Sequence, residues 1–234
     1  MLDHKFWKNY FEVYDVLNKV LPYQKLLNDI ENKLNVEKND LILDAGVGTG
    51  NLAVRLEKRG AKVIGFDFCK EALDQYKMKS PNAAVIFGNL TQTLPFEDDY
   101  FNKIVSNNVL YNLPREKRLQ TVKELNRILK KGGVIVLSNA HKNFKPIKIY
   151  LQAIRQNINL FGYLSTLKLL IKMSIPTLKM FYYNFIIQKE HKFAKNNLFD
   201  YEEQKRILTE AGFTDVSKTE FVYAGQAILN SAYK

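Results

Sequence analysis

The 234-residue sequence predicts a doubly wound α/β fold with a mostly parallel seven-stranded sheet and helices on both faces. Three observations carry this. Short apolar runs alternate with amphipathic stretches between residues 39 and 140. Glycines stand where the runs meet the amphipathic stretches, and two last apolar runs close the chain around a tight turn, "YAG".

Each element follows in order. From Phe6 to Leu34 apolar residues recur at helical spacing (Phe6, Tyr10, Tyr14 and Leu17, then Leu26, Leu27, Ile30 and Leu34), and Pro22 divides two helices. They form an N-terminal helical cap over residues 1–38. "DLILDAG" then reads as a buried strand, followed by a glycine turn and a helix from Asn51 to Arg59 that Gly60 closes. "AKVIGFDF" is a second strand, "CKEALDQYKMK" a helix, "AAVIFGNL" a third strand and "FNKIVSNNVL" a fourth. The helix "REKRLQTVKELNRILK" leads into "KGGVIVLSN", a fifth strand that starts at two glycines. The alternation stops for residues 141–199 and resumes with "DYEEQKRILTEAGF", a capped helix closed by Gly212. "DVSKTEFV" and "QAILNSAYK" form a final hairpin, so the last strand runs antiparallel to the others. The expectation is one domain, with cap 1–38, core 39–140, helical insertion 141–199 and a closing helix and hairpin 200–234.

Composition narrows the function. One cysteine, Cys69, excludes an internal disulfide framework, and no Cys/His cluster has zinc-site spacing. The N-terminal residues are charged throughout and lack the apolar core of a secretory signal, so a cytoplasmic protein is expected. Lysines at 168, 172 and 179 interrupt the most apolar region, so contact with a membrane is expected but not a crossing. The net charge of +11 is uneven: residues 141–199 hold ten basic residues and one acid, Glu190, and the remainder is nearly balanced.

The stretch "LILDAGVGTG", Leu41 to Gly50, places a carboxylate inside an apolar run before three glycines. Backbone N–H groups at such a turn suit a ligand beyond the carboxyl ends of the strands. A dinucleotide register can be forced onto Gly48, Gly50 and Ala53. It would continue the strand through Val47 and bury Asp44 beside a pyrophosphate. A strand that ends at Asp44 instead offers its carboxylate to a cationic ligand, as an ammonium and a sulfonium would be.

Here the sequence resembles the class I S-adenosylmethionine-dependent methyltransferases, especially the small-molecule branch that includes the quinone C-methyltransferases. "LDAGVGTG" matches that family's first motif, "VIGFDFCKEAL" its second strand with a terminal acid, and "FGNLTQTLPFEDDYFNKIVSNNVLYNL" and "LNRILKKGGVIVLS" the following strands. The resemblance implies that Asp44, Ala45 and the Gly46, Gly48 and Gly50 backbone hold the methionine portion of the cofactor and Asp67 the ribose. It further implies that Phe68 packs on the adenine and that Asn89 and the Leu90 backbone read its polar edge. Asn107 would line the pocket below the sulfonium, and Tyr14 would close over the cofactor from the cap. Position 89 is often Asp in the family; its Asn here still offers an amide oxygen.

Methyl transfer needs the nucleophile held in line behind the methyl group in a dry pocket, and a dedicated base is optional. His141, after the fifth strand, is the candidate base, and a solvent-exposed loop histidine is its plain alternative. Tyr111 is a lesser candidate. "SNNVLYN" lacks the Asn/Asp-Pro-Pro-aromatic turn of the exocyclic base-amine enzymes, and Cys69 lies outside a Pro-Cys turn, so nucleic acid is the weaker partner. The insertion reads as two or three amphipathic helices over the pocket mouth, with Pro176 as a divider. Its apolar interior and cationic rim suit a bulky apolar or aromatic methyl acceptor, or peripheral contact with an acidic membrane surface. The alternatives are an RNA methyltransferase that uses the basic insertion, and a cofactor-binding protein without catalysis.

Overall fold

The structure, a computed structural model, describes residues 4–190 and 198–234. The cap begins with α1 (His4–Tyr14), continues through a 3₁₀ turn (Asp15–Lys19) and ends with α2 (Leu21–Leu34). Pro22 sits in the first turn of α2, where a missing N–H costs little, so the break precedes it.

Seven strands then build one sheet: β1 (Leu41–Ala45), β2 (Lys62–Asp67), β3 (Ala84–Phe87), β4 (Phe101–Asn107), β5 (Leu129–Ala140), β6 (Glu220–Val222) and β7 (Ala227–Tyr233). Their order is β3-β2-β1-β4-β5-β7-β6, with β7 antiparallel to both neighbours. Strand order reverses between β1 and β4, which opens the crevice where such sheets bind ligands.

Alternate residues divide the core between the two faces. Ile42, Val63, Val105, Val134 and Val136 pack with α2, α3 (Ala53–Lys58) and α4 (Lys70–Lys79). Leu43, Ala45, Ile104, Ile135 and Leu137 pack with α5 (Arg115–Ile128) and with the helix Glu203–Glu210, here α7. That helix has no side-chain N-cap; Glu203 instead turns back to accept the Asp200 N–H at 3.1 Å.

The insertion, α6 (Pro146–Glu190), is two helical arms, within the two or three expected, but they divide at Gly162 (φ 78°, ψ 170°) and the second is continuous through Pro176. Only glycine enters that backbone region freely, so the chain turns there, whereas the fixed φ of proline is compatible with a helix at the loss of one hydrogen bond. The Thr166 hydroxyl donates to the Gly162 carbonyl at 2.8 Å across the break. Within α6, Pro146–Tyr183 is long and apolar enough by length and composition to cross a membrane, which the interrupting lysines had argued against. The last part of the basic insertion, residues 191–197 with Lys192, Lys195 and His191, lies outside the described residues.

Candidate active site

The glycine turn sits where β1 ends, and each glycine has a different reason to be there. Gly46 (φ +88°) and Val47 both donate their N–H to the Phe66 carbonyl of β2, and a Cβ on Gly46 would stand 2.2 Å from the Val109 side chain. A Cβ on Gly50 (φ +76°) would stand 2.1 Å from the ring of Tyr76. Gly48 (φ +53°) is different: among the described residues its Cβ position meets only Phe11 of the cap, at 4.0 Å. Two glycines therefore serve packing, and the third leaves room for a ligand against the backbone.

Asp44 lies one residue before the strand end, opposite Gly65 of β2 and Val105 of β4. It is 2% exposed, and no described group hydrogen-bonds its carboxylate. Burial, reinforced by the nearby charge of Asp67, pushes its pKa up to about 8. Asp67 ends β2 and is engaged: one oxygen accepts the Gly48 N–H at 2.8 Å and the other the Cys69 N–H at 2.9 Å. It thus ties the glycine turn to β2, and each of its oxygens keeps a second lone pair for a ligand hydroxyl. Burial raises its pKa and these backbone donors oppose the rise. Phe68, next in the chain, is 57% exposed.

Above the turn lies the cap, and polar contacts hold it down. Lys79 Nζ donates to Asp15 (2.8 Å), to the Thr49 carbonyl (2.8 Å) and to Asn51 Oδ1 (2.7 Å). Thr49 Oγ1 donates to Asp15 and Asn18 Nδ2 to Asn51, joining the 3₁₀ turn to the glycine turn. Beside this latch, phenols from distant parts of the chain converge. Tyr10 and Tyr14 (5.6 Å between centroids) come from α1, and Tyr23 from α2 packs edge-on against Tyr223 (5.9 Å) of the β6–β7 turn. Burial, then the proximity of the Tyr14 and Tyr111 hydroxyls, raises the pKa of Tyr10; burial raises Tyr14, Tyr23, Tyr111 and Tyr223 as well. All five stay neutral near pH 7; Tyr14 and Tyr23 hydrogen-bond each other and Tyr111 pairs with Asn112. Tyr223, Ala224 and Gly225 all have positive φ, so the turn that delivers Tyr223 is itself strained.

The remaining sequence-predicted residues are arranged as follows. Ala45 is buried, with its carbonyl bonded to the Ser106 hydroxyl, and Leu90 is buried beneath the β3 end. Asn89 is exposed, and its Oδ1 accepts the Thr91 N–H and hydroxyl, each at 2.9 Å, as a turn residue does. Asn107 ends β4 and accepts from Asn108 Nδ2 at 3.2 Å. His141 is 3% exposed rather than free in a loop. Its Nδ1 accepts the Asn143 N–H (3.1 Å), its Nε2 pairs with the Gly225 carbonyl (2.8 Å), and its ring packs edge-on against Tyr201 and Phe221. Both nitrogens are occupied, so this imidazole has no free lone pair with which to act as a base. It borders a surface pocket of about 410 Å³ with Lys145, Lys148 and Gln226. The latch and the convergence of tyrosines had no sequence signal, because their members are scattered from residue 10 to residue 223.

These residues fit a cationic nucleoside ligand. A buried carboxylate without a partner asks for a positive charge, the open position at Gly48 leaves the backbone approachable, and Asp67 retains acceptor capacity at the ribose position. Residues 43–137 match the family model described as "Methyltransferase domain". The demethylmenaquinone methyltransferase of Staphylococcus saprophyticus is 27% identical over 243 residues, which cover 99% of this chain and 95% of that protein. Among solved structures, a SAM-dependent methyltransferase from Aquifex aeolicus aligns with a TM-score of 0.61 at 16% identity, covering 100% of this chain and 98% of the other. A magnesium protoporphyrin IX methyltransferase from Synechocystis with bound SAH aligns with a TM-score of 0.60 at 16% identity, covering 94% and 87%.

Proposed function

We propose that this chain is a class I S-adenosylmethionine-dependent methyltransferase that methylates a small, lipophilic, hydroxylated aromatic acceptor, a quinol of the demethylmenaquinone kind, in the cytoplasm. The observation that supports the reading is the cluster of tyrosines under the cap, of which Tyr23 lies within electrostatic reach of the buried Asp44. Rings of this kind stack on a flat aromatic acceptor, and their hydroxyls donate to its oxygens.

The bound cofactor supplies a methyl group on a positively charged sulfur. Asp44 holds the cationic methionine end, the Gly48 backbone accommodates it, Asp67 takes the ribose, and Phe68 with the Asn89–Leu90 turn borders the adenine. Asn107 and Tyr14 flank the reacting end. Lys79 and Asp15 keep the cap closed, which excludes water and holds the acceptor in line. Methyl transfer would release S-adenosylhomocysteine and one proton from the acceptor, which passes to solvent water; the tyrosines, held neutral, would orient the acceptor oxygens rather than take that proton. Peripheral contact with an acidic membrane surface belongs to this reading, because such an acceptor partitions into bilayers.

The test supplies the protein with S-adenosylmethionine and a reduced demethylated naphthoquinone bearing a short prenyl tail. One added methyl group in the product mass is expected. Tight cofactor binding with no methylated product from this or any other hydroxylated aromatic would sink the proposal.

A further inference from the structure

The second arm of α6, residues 163–190, carries two apolar stripes where a packed helix needs one. Thr166, Met173 and Met180 are buried, and α6 packs on α1, α2 and the 3₁₀ turn. At helical spacing the opposite side presents Leu164, Ile171, Ile175, Leu178, Tyr182 and Phe185, each between 61% and 77% exposed. Exposed Lys168, Lys172 and Lys179 follow one edge of this outer stripe. No acidic residue occurs from His141 to Lys189. Monomeric proteins rarely leave so continuous an apolar surface in water.

We infer that this outer stripe docks on an anionic lipid bilayer, lying along the interface with its apolar side chains in the acyl boundary and its three lysines reaching back to the headgroups. Charge complementarity selects that occupant. A second copy laid along the same stripe would bring another row of lysines against this one, and the arm's single acid, Glu190, is its last residue, beyond the span of the three lysines. An anionic membrane supplies the missing negative charge. The break at Gly162 sets this arm apart from the first, which carries His141's neighbouring pocket at its base, and the inner stripe keeps the arm attached to the cap. A bilayer engaged by the arm therefore lies next to the cap that closes the site. The inference deepens the peripheral contact proposed above, and its failure is separable from failure of the methyl-transfer reading, because cofactor binding is measured without lipid.

The full-length protein is titrated with vesicles of phosphatidylcholine alone and of phosphatidylcholine with equimolar phosphatidylglycerol. Binding to the anionic vesicles is expected to be at least about tenfold tighter, and high salt should release the protein. The double variant I171E/I175E should weaken that binding by at least about tenfold. Its far-UV circular dichroism and its calorimetric affinity for S-adenosylhomocysteine should stay unchanged. K168Q/K172Q/K179Q should lower affinity for the anionic vesicles toward that for neutral ones. Three outcomes would overturn the inference: equal affinity for both vesicles, retention against high salt and alkaline carbonate as a spanning helix, or a concentration-dependent dimer without lipid that I171E/I175E abolishes.

Discussion

At the scale of single residues, Asp44 is the clearest compromise between stability and function. Its folded pKa of about 8 lies above the ordinary carboxylate value, so the folded chain keeps a proton that the unfolded chain releases. Stability from this group is therefore full below pH 4 and declines as pH rises from about 4 to about 8, at up to about 1.4 kcal/mol per pH unit. Asp44→Asn removes the ionisation. We expect the variant, without cofactor, to be more stable than the parent at pH 8 by a few kcal/mol and equally stable at pH 4, as read by urea unfolding. The same variant should bind S-adenosylmethionine at least about 100-fold more weakly, since a cation then meets only a neutral amide. In the parent, cofactor binding at pH 7 should release close to one proton, measured by calorimetry in buffers of different ionisation enthalpy. The glycines separate in the same way. Gly50→Ala drives a methyl group into Tyr76 and should cost about 2–4 kcal/mol of stability. Gly48→Ala meets open space and only the left-handed penalty of about 1 kcal/mol, so its main loss should be cofactor affinity. Equal thermal shifts in the two variants would remove the distinction.

At the scale of elements, α2 is fixed by a deep apolar seam of Leu26, Leu27, Ile30 and Leu34 against the sheet, whereas a polar latch and an aromatic layer hold the 3₁₀ turn and α1. Lys79 is central because one ammonium satisfies Asp15, the Thr49 carbonyl and Asn51 at once, and burial lowers its pKa against the raising effect of Asp15. Lys79→Met should leave the sheet intact and free the cap. Amide exchange in residues 4–19 should accelerate at least about tenfold, while β1 and β4 stay protected. Cofactor affinity should fall with it. Unchanged exchange in the cap would show that the aromatic contacts alone hold it. Neither the latch nor the tyrosine layer was readable in the sequence, since no local pattern announces that Tyr10, Tyr23 and Tyr223 will meet. By contrast, β1 to β5 were readable element by element, because central parallel strands are short apolar runs; glycine marks the ends of β1 and β3 only, and Gly132 and Gly133, read as the start of the fifth strand, lie inside β5. The insertion misled in one respect: Pro176 is the stronger local signal, but the positive φ of Gly162 decides where α6 breaks. Its two apolar stripes also look alike in sequence, and only packing shows which one faces inward.

At the scale of the whole molecule, inserting α6 between β5 and the closing hairpin raises the question of what keeps the C-terminal part on the core. Asp44, Asp67 and the glycines were legible as a candidate site because they lie close together in sequence; the clasp that answers this question joins residues more than eighty positions apart. Arg118 of α5 is fully buried and pairs with Glu203 of α7 at 3.3 Å, donates to the carbonyls of Leu110 and Tyr111, and lies 4.4 Å above the ring of Phe199. Arg115 adds two 3.0 Å contacts to the same carboxylate. Because Leu110 and Tyr111 follow β4, the clasp joins the turn after β4 to the C-terminal unit. Glu203→Leu leaves Arg118 buried without its counter-charge, and we expect a loss of about 3–5 kcal/mol. If the pair serves mainly to close the fold rather than to stabilise it, replacing both partners by apolar residues, Arg118→Met with Glu203→Leu, should recover more than half of that loss. Cofactor affinity should recover with stability in the double variant if the clasp acts only through packing. A double variant as stable as the parent but still slow in methyl transfer would instead show that the charge pair itself positions the turn carrying Tyr111.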